Sequence, residues 1–217
     1  MLTFYYTMRS PYARKVRILL SELGTPHTPV EITPGGMDDG TLFGEDYELQ
    51  IPTMRVPSIK DGDQILFESN TVIAYLLQKY PLSEPGVVQP PLATSMVRND
   101  HQWQDTMVIE TIESMLNSAI NITFLKRSGV EIEDVSYLRR ERERCHSCLD
   151  WLEAHAKPEG FIPGVFSIAD LNLVCALQWF DDRDVIEWWG RRRLETIVAR
   201  YQNRPSVKNN PLVFKGG

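Results

Sequence analysis

The first 80 residues alternate between short apolar runs and stretches in which apolar positions recur with a helical period. The run at 2–6 is apolar and aromatic, which is typical of a buried strand. Ser10 and Pro11 suit the N-cap and first position of a helix, and Gly24 suits its end. An Asp-Gly pair at 61–62 between two strand-like runs indicates a hairpin. In order, the pattern predicts a strand at 2–6, a helix from 11 to 24, a strand at 29–32, a hairpin at 57–67 and a helix at 71–79.

This order of elements (strand, helix, strand, hairpin, helix) indicates a small α/β layer with a mixed sheet. From about residue 92 onward the pattern is almost entirely helical. The stretch 81–91 between the two parts holds four prolines and a glycine, which cannot sustain a helix. We therefore expect an α/β domain at 1–80, a linker at 81–91 and an all-helical domain at 92–217, with helices near 92–125, 134–156, 167–182 and 190–203.

Two further helix starts carry capping signals. Ser167 is suited to be an N-cap, and Asp170 stands at the position where a capping box usually has Glu. Phe166 and Leu171 flank this start at the spacing of a hydrophobic staple. Ser69 is expected to cap the helix that follows the hairpin.

Composition narrows the possible functions. The formal net charge is −6 at pH 7 and the pI is about 5.3. Binding nucleic acid or an anionic membrane surface needs concentrated positive charge, so neither partner is expected. The sequence has no run near the ~18 apolar residues of a membrane span, and its first residues lack the pattern of a secretory signal. Three cysteines without framework spacing suit a reducing compartment, and we expect a cytoplasmic location.

A Cys-His-Ser-Cys motif at 145–148 admits a zinc or redox interpretation. The motif lies within a charged helical run, and no second pair of ligands stands at zinc spacing. Packing is therefore the favoured interpretation of Cys145 and Cys148, and no metal is expected. The run at 139–144, in which arginines alternate with glutamates, is typical of a solvated helix face.

Five motifs in series resemble those of the cytosolic-type glutathione S-transferases, with a bacterial-like, serine-type pattern. Each motif is weak by itself, but the set spans essentially the whole chain in family order. The resemblance implies a thioredoxin-like N-terminal domain followed by an all-α domain, usually assembled as a homodimer. The motifs are Ser10-Pro11-Tyr12-Ala13-Arg14-Lys15-Val16-Arg17, Pro52-Thr53-Met54-Arg55-Val56-Pro57, Phe67-Glu68-Ser69-Asn70, Phe166-Ser167-Ile168-Ala169-Asp170 and Asn203-Arg204-Pro205-Ser206.

The resemblance makes Ser10 the matching position for the residue that stabilises the glutathione thiolate. A thiol with a pKa near ~8.5 is mostly protonated at neutral pH, so ionising it in place is the catalytic task. The helix start adds backbone N–H groups and positive dipole character. Three alternatives stay open: Ser10 only caps its helix, Tyr5 or Tyr6 acts on the thiolate, or the backbone amides do. A hydroxyl cannot form a mixed disulfide, so thioltransferase chemistry is not expected.

The resemblance also implies a glutathione site formed by Arg55, Val56, Pro57, Glu68 and Ser69. Val56–Pro57 matches the family's cis-proline corner, where the Val56 backbone would pair with the peptide; an ordinary trans proline is the alternative. Glu68 and Ser69 would receive the γ-glutamyl end at a helix start, or would only cap that helix. Arg55 would meet the glycyl carboxylate, or would be a solvated surface arginine. The segment 34–40 departs from the family, which leaves a further basic contact in doubt.

The predicted function is conjugation of the glutathione thiolate to a small hydrophobic electrophile, in the manner of a detoxification enzyme. Glutathione is a co-substrate in this prediction. The electrophile pocket is expected between the domains, and its candidate residues also suit a plain core. The alternative function is a non-catalytic binding or regulatory module of the same family. The pocket candidates are Met8, Tyr12, Trp103, Met107 and Trp179.

Overall fold

The computed structural model describes residues 1–32, 51–80, 82 and 88–213. The chain divides into two compact units. The first comprises Met1–Gly86 together with Pro205–Gly217, and the second comprises Val87–Arg204. The expected domain boundaries at 80 and 92 stay predictions. Segment 34–40, where the sequence departs from the family, lies outside the described residues.

The first unit contains a mixed four-stranded sheet, as predicted. The strand order is β2-β1-β3-β4, with β1 and β2 parallel and the other two pairs antiparallel. Phe4, in the central strand, pairs with Pro29 on one side and Ile59 on the other, and its side chain is buried. The elements are β1 (Leu2–Tyr6), α1 (Pro11–Leu23), β2 (Thr28–Glu31), β3 (Ser58–Asp61), β4 (Gln64–Phe67) and α2 (Ser69–Lys79).

Helix α1 begins and ends where its sequence predicts. Ser10 is the N-cap, and its hydroxyl oxygen accepts the Ala13 N–H at 3.1 Å. Pro11 opens the helix, where its missing N–H costs no helical hydrogen bond. Gly24 ends it with a φ of 61°, in the left-handed region that favours glycine. Its apolar face, formed by Val16, Leu19, Leu20 and Leu23, is buried.

The β3–β4 hairpin turns through Gly62 and Asp63, because Asp61 pairs with Gln64. Gly62 has a φ of 62°, which matches the first central position of a type II′ turn. Asp61, at the end of β3, also binds the end of α2. Its Oδ2 accepts hydrogen bonds from the Tyr75 hydroxyl at 2.9 Å, the Tyr80 hydroxyl at 2.6 Å and Lys79 Nζ.

The second unit is helical, as predicted, but its first long helix begins later than expected. The predicted start was near 92, whereas α3 begins at Gln102, after a short 3₁₀ turn. Residues 91–93 instead pair with Phe166, whose N–H donates to the Pro91 carbonyl and whose carbonyl accepts the Ala93 N–H. This bridge keeps the backbone extended. The long helices are α3 (Gln102–Arg127), α4 (Ser136–His155), α5 (Ile168–Arg183) and α6 (Arg192–Tyr201); a short α7 (Pro205–Lys208) returns to the first unit.

The start of α5 has the predicted capping box. The buried Asp170 carboxylate accepts the Ser167 N–H at 3.0 Å, the Ser167 hydroxyl at 2.6 Å and the Phe161 N–H at 2.9 Å. Burial outweighs these bonds and raises the pKa of Asp170 to about 6. A Cβ on Gly160, whose φ is 120°, would lie 2.8 Å from the Asp170 carboxylate, so this position requires glycine.

Helix α4 carries both the cysteine motif and the basic run. Cys145 is buried and its thiol donates to the Met115 carbonyl at 3.4 Å. Burial raises the pKa of Cys145 to about 12, so the thiol stays protonated. The expectation of a fully solvated run at 139–144 is wrong at one position, because Glu141 is buried and pairs with Arg144. Within the described residues, no helix has the length and apolar character needed to cross a membrane, and no group of three or more His, Cys, Asp or Glu side chains could hold a metal ion.

Candidate active site

The strand register gathers three predicted site segments at one end of the sheet. Tyr5, near the end of β1, pairs with Ser58, which begins β3. Ser58 also pairs with Phe67, which ends β4. The turn after β1, the residues before β3 and the residues after β4 must therefore meet at this end. The three segments lie near residues 10, 56 and 68, so their proximity in space cannot be seen from the sequence.

Ser10 lies in the first of these segments and is half-buried. Its hydroxyl oxygen accepts the Ala13 N–H, which uses a lone pair and does not consume the hydroxyl proton. The same group can therefore cap α1 and donate a hydrogen bond to a ligand. The two interpretations of Ser10 from the sequence, cap and thiolate donor, are chemically compatible.

The backbone amides at the start of α1 form a weaker donor set than the sequence suggests. Pro11 has no N–H, and the Ala13 N–H binds Ser10 Oγ. The Ser10 N–H donates to the Thr7 carbonyl at 3.4 Å. Three of the positions at this helix start, Ser10, Pro11 and Ala13, therefore have no N–H to spare for an anion. This count favours the Ser10 hydroxyl over the amides as the main donor.

Tyr5 and Tyr6 occupy the end of β1. Both side chains are half-buried. The Tyr6 ring stacks on Phe4 with 5.2 Å between ring centroids, and the Arg17 guanidinium lies 5.7 Å from it. These contacts hold Tyr6 in a packed position at the strand end.

The second segment carries Arg55, Val56 and Pro57. The Val56–Pro57 peptide bond is cis, as the motif predicts; a second cis bond, Gln89–Pro90, was not predicted. Arg55 is exposed, Val56 is half-buried and Pro57 is buried. The sheet ladder begins at Ser58, two residues after Val56, so Val56 lies just outside the paired strand.

The third segment differs from its prediction in one respect. Glu68, not Ser69, is the N-cap of α2, and its side chain makes no capping hydrogen bond. Ser69 is the first helical residue and is buried. Glu68 is exposed and has a φ of 66°, a conformation that costs a non-glycine residue roughly 1–3 kcal/mol. Backbone strain of this kind concentrates at functional sites, and this shape could not be foreseen from the residue types.

The predicted pocket residues belong to different parts of the chain and stay predictions. Met8 lies in the turn before Ser10, and Tyr12 lies on α1; both are half-buried. Trp103 and Met107, on α3, are 73% and 55% exposed, which contradicts the alternative that they are core residues. Trp179 is buried in α5, in agreement with that alternative.

Sequence reasoning missed two buried cations on α1. Arg14 and Lys15 are almost fully buried, although both residue types usually lie at the surface. Arg14 Nε donates to the Asn210 carbonyl at 2.8 Å, and Lys15 Nζ lies 4.8 Å from the Tyr12 ring centroid. The partner of Arg14 is 196 residues away in sequence, so no local pattern could have indicated it.

Comparison with known proteins identifies the family. The family model for the glutathione S-transferase N-terminal domain matches residues 4–86, and the model for the C-terminal domain matches residues 136–203. Glutathione S-transferase 1 of Manduca sexta is 30% identical over 181 residues, which cover 83% of this chain and 78% of that protein. The chain belongs to the glutathione S-transferase family. Glutathione S-transferase F9 of Arabidopsis thaliana is 29% identical over 69% of this chain and 76% of its own length.

Solved structures confirm the transferase fold. A glutathione transferase family member from Pseudomonas fluorescens Pf-5, with bound glutathione, has a TM-score of 0.79 at 20% identity over 99% of this chain and 100% of that one. A glutathione S-transferase from Methylobacillus flagellatus, also with glutathione bound, has a TM-score of 0.76 at 19% identity over 98% and 100%. The predicted fold, a thioredoxin-like domain followed by a helical one, is confirmed, and so is the prediction of a glutathione transferase.

Proposed function

We propose that this transferase binds glutathione at the sheet end defined by Ser10, Val56 and Ser69 and conjugates its thiolate to a small hydrophobic electrophile. The observation that carries the proposal is the strand register, in which Tyr5 pairs with Ser58 and Ser58 with Phe67. Three separate sequence motifs thereby converge on one place. The glutathione bound in the structural relatives supports the choice of ligand.

Each segment has a group suited to one part of the tripeptide. The start of α2, with the Ser69 hydroxyl, suits a carboxylate, and the exposed Glu68 suits the neighbouring amine. The Val56 backbone, just outside the sheet ladder, suits pairing with an extended peptide. The exposed Arg55 guanidinium suits a second carboxylate.

Ser10 would act on the sulfur. Its hydroxyl proton can donate to the thiolate, which lowers the thiol pKa and raises the fraction of nucleophile at neutral pH. The thiol proton leaves to solvent, and the sulfur then forms the new bond to an electrophilic carbon. In a substitution the leaving group departs with the bonding electrons, and in an addition the resulting carbanion takes a proton.

The test combines binding and turnover on the full chain. The protein is passed over immobilised glutathione and then assayed for conjugation of chlorodinitrobenzene and several other electrophiles. We expect retention on the column and turnover of at least one electrophile. Retention without turnover of any electrophile would contradict the enzymatic proposal and favour the non-catalytic binding module.

Three further predictions accompany the proposed function. Homodimer assembly rests on family resemblance, and analytical ultracentrifugation at micromolar concentration tests it.

The cytoplasmic location and the lack of a metal requirement rest on composition and motif spacing. Localisation of a tagged protein tests the first, and activity after dialysis against a chelator tests the second.

A further inference from the structure

The segment 209–213, here called the C-terminal strap, runs along α1 toward the turn that carries Ser10. It follows α7 and belongs to the first unit, although the whole helical unit intervenes in sequence. Two arginines of α1 bind its backbone. Arg14 Nε donates to the Asn210 carbonyl at 2.8 Å, and Arg17 Nη1 donates to the Pro211 carbonyl at 3.0 Å.

The beginning of the strap is also fixed. Asn210 Nδ2 donates to the Ser206 carbonyl at 2.8 Å, and the Ser206 hydroxyl donates to the Glu22 carboxylate on α1. Asn210 is half-buried and Arg14 is buried, so these contacts are shielded from competition with water. The strap therefore has a defined path from α7 to its last residue.

The strap ends on the Ser10 turn itself. The Val213 N–H donates to the Met8 carbonyl at 3.2 Å. Within the turn, the Ser10 N–H reaches the Thr7 carbonyl only at 3.4 Å, which is longer than the usual range for an N–H···O bond. The turn thus closes weakly on itself and receives an additional main-chain bond from the strap.

We propose that the C-terminal strap positions Ser10, with the Val213–Met8 hydrogen bond holding the turn so that the Ser10 hydroxyl faces the ligand sulfur. This inference rests on the proposed function of Ser10. Val213 is a positioning residue in this scheme, since it acts through the turn. Its effect should appear in the activation of the sulfur and not in the affinity for glutathione.

Two variants at one position separate the backbone bond from the side chain. Val213→Pro removes the N–H and keeps an apolar side chain, whereas Val213→Ala keeps the N–H and shortens the side chain. Val213→Pro should lower kcat by roughly three- to ten-fold, the effect of one backbone hydrogen bond, with the KM for glutathione unchanged. Its pH–rate profile should shift to higher pH, because the sulfur is less stabilised. Val213→Ala should behave as the wild type.

Equal losses in the two variants, or a change in KM alone, would overturn the proposal. Asn210→Ala provides a second route, because it loosens the strap upstream and leaves the Val213 N–H in place. It should shift the pH–rate profile in the same direction by a smaller amount. If Val213→Pro does not fold, an unshifted profile in Asn210→Ala overturns the proposal.

A readout independent of activity separates this inference from the proposed function. Hydrogen exchange of the Ala13 amide reports the Ser10 cap directly, since that amide binds Ser10 Oγ. Val213→Pro should speed this exchange several-fold and leave the Tyr80 amide, at the end of α2, unchanged. Absence of conjugating activity in the wild-type protein would contradict the proposed function. An unchanged rate of Ala13 amide exchange in Val213→Pro would contradict the positioning role of the strap.

Discussion

The single hydroxyl group of Ser10 caps the N-terminus of α1 and can also donate a hydrogen bond to a ligand. A serine hydroxyl offers two lone pairs and one proton, and the Ala13 N–H takes one lone pair. The cap and the catalytic donor therefore draw on different features of the same group. Substitutions can separate the two roles. Protein stability depends on the Ser10 oxygen as a hydrogen-bond acceptor, whereas turnover depends on the hydroxyl proton as a donor.

Ser10→Ala should lose both functions. The lost cap should lower the free energy of unfolding by about 1 kcal/mol. The lost donor to a charged sulfur should lower turnover by roughly ten- to a hundred-fold, with little change in glutathione affinity. Urea unfolding and steady-state kinetics measure the two effects.

Two other substitutions at this position serve as controls. Ser10→Thr keeps the hydroxyl and should retain most of the stability and turnover. Ser10→Asp keeps a capping oxygen but brings no donor, so it should be stable and inactive. Full turnover in Ser10→Ala would assign stabilisation of the thiolate to Tyr5, Tyr6 or the backbone amides.

At the scale of elements, two buried carboxylates join helix ends to their surroundings and have opposite pKa shifts. Hydrogen bonds from Lys79 and Tyr80 lower the pKa of Asp61 to about 2. Asp170 accepts its three hydrogen bonds from neutral groups, and burial raises its pKa to about 6. The two units should therefore respond differently to acid.

Asp61→Asn should destabilise the first unit at pH 7, because the end of α2 loses its anionic acceptor. A lowered pKa gives stability that is present above about pH 4 and is lost as pH falls toward 2. The gap in urea midpoint between wild type and Asp61→Asn should therefore narrow below pH 4. Asp63→Asn, on the same turn but exposed, is the matched control. A gap that stays constant down to pH 2 would count against the ionic role of Asp61.

Asp170→Asn should show the opposite dependence. With a raised pKa the folded state binds a proton between about pH 4 and pH 6, so the carboxyl's contribution to stability falls as pH rises through that window. Integrated over about two pH units, the fall is on the order of 3 kcal/mol. The stability of wild type minus that of Asp170→Asn, measured by urea unfolding at pH 4, 5 and 6.5, should decrease accordingly. An increase in this stability difference between pH 4 and pH 6.5 would contradict the raised pKa of Asp170. The absolute difference in stability between the two proteins does not affect this test.

At the scale of the whole molecule, the first unit is formed by two stretches of the chain that are separated in sequence by the second unit. Residues 205–213 supply α7 and the strap, and they provide the partners of Arg14 and Arg17. A polypeptide of residues 1–86 would leave the buried Arg14 guanidinium without its carbonyl acceptor. Cutting the chain at the predicted linker alone therefore does not yield a complete unit.

We expect the fragment 1–86 to be much less stable than the first unit is in the full chain. A synthetic peptide of residues 205–213 should raise its thermal midpoint, because the peptide restores the acceptors of Arg14 and Arg17. A peptide of the same composition in scrambled order is the control. Equal midpoints with either peptide, or a fully stable fragment alone, would show that these residues are dispensable for the fold.

The parts of the structure that follow local rules could be predicted from the sequence. The cap at Ser10, the turn at Gly62 and the capping box at Ser167 each depend on neighbouring residues. The late start of α3 could not be predicted, because the pairing of residues 91–93 with Phe166 overrides a helical pattern. The same holds for Glu68, whose backbone shape reflects its place between β4 and α2.

For the candidate site, the motifs predicted the segments, and the strand register shows how they meet. The resemblance to the transferase family singles out Ser10, Val56 and Ser69. The contacts of Arg14 with Asn210 and of Val213 with Met8 could not be predicted, because each joins positions about 200 residues apart. Such contacts depend on the complete fold and are not indicated by any local pattern in the sequence.

The return of residues 205–213 to the first unit also bears on how the protein is made. A ribosome produces the chain from its N-terminus, so the sheet and α1 emerge long before the strap does. The second unit, Val87–Arg204, is contiguous and can fold as soon as it leaves the exit tunnel. The nascent first unit lacks the Asn210 acceptor of Arg14 until residues 205–213 have also been synthesised. The unit that carries the proposed chemistry is thus completed only after the whole second unit has been synthesised.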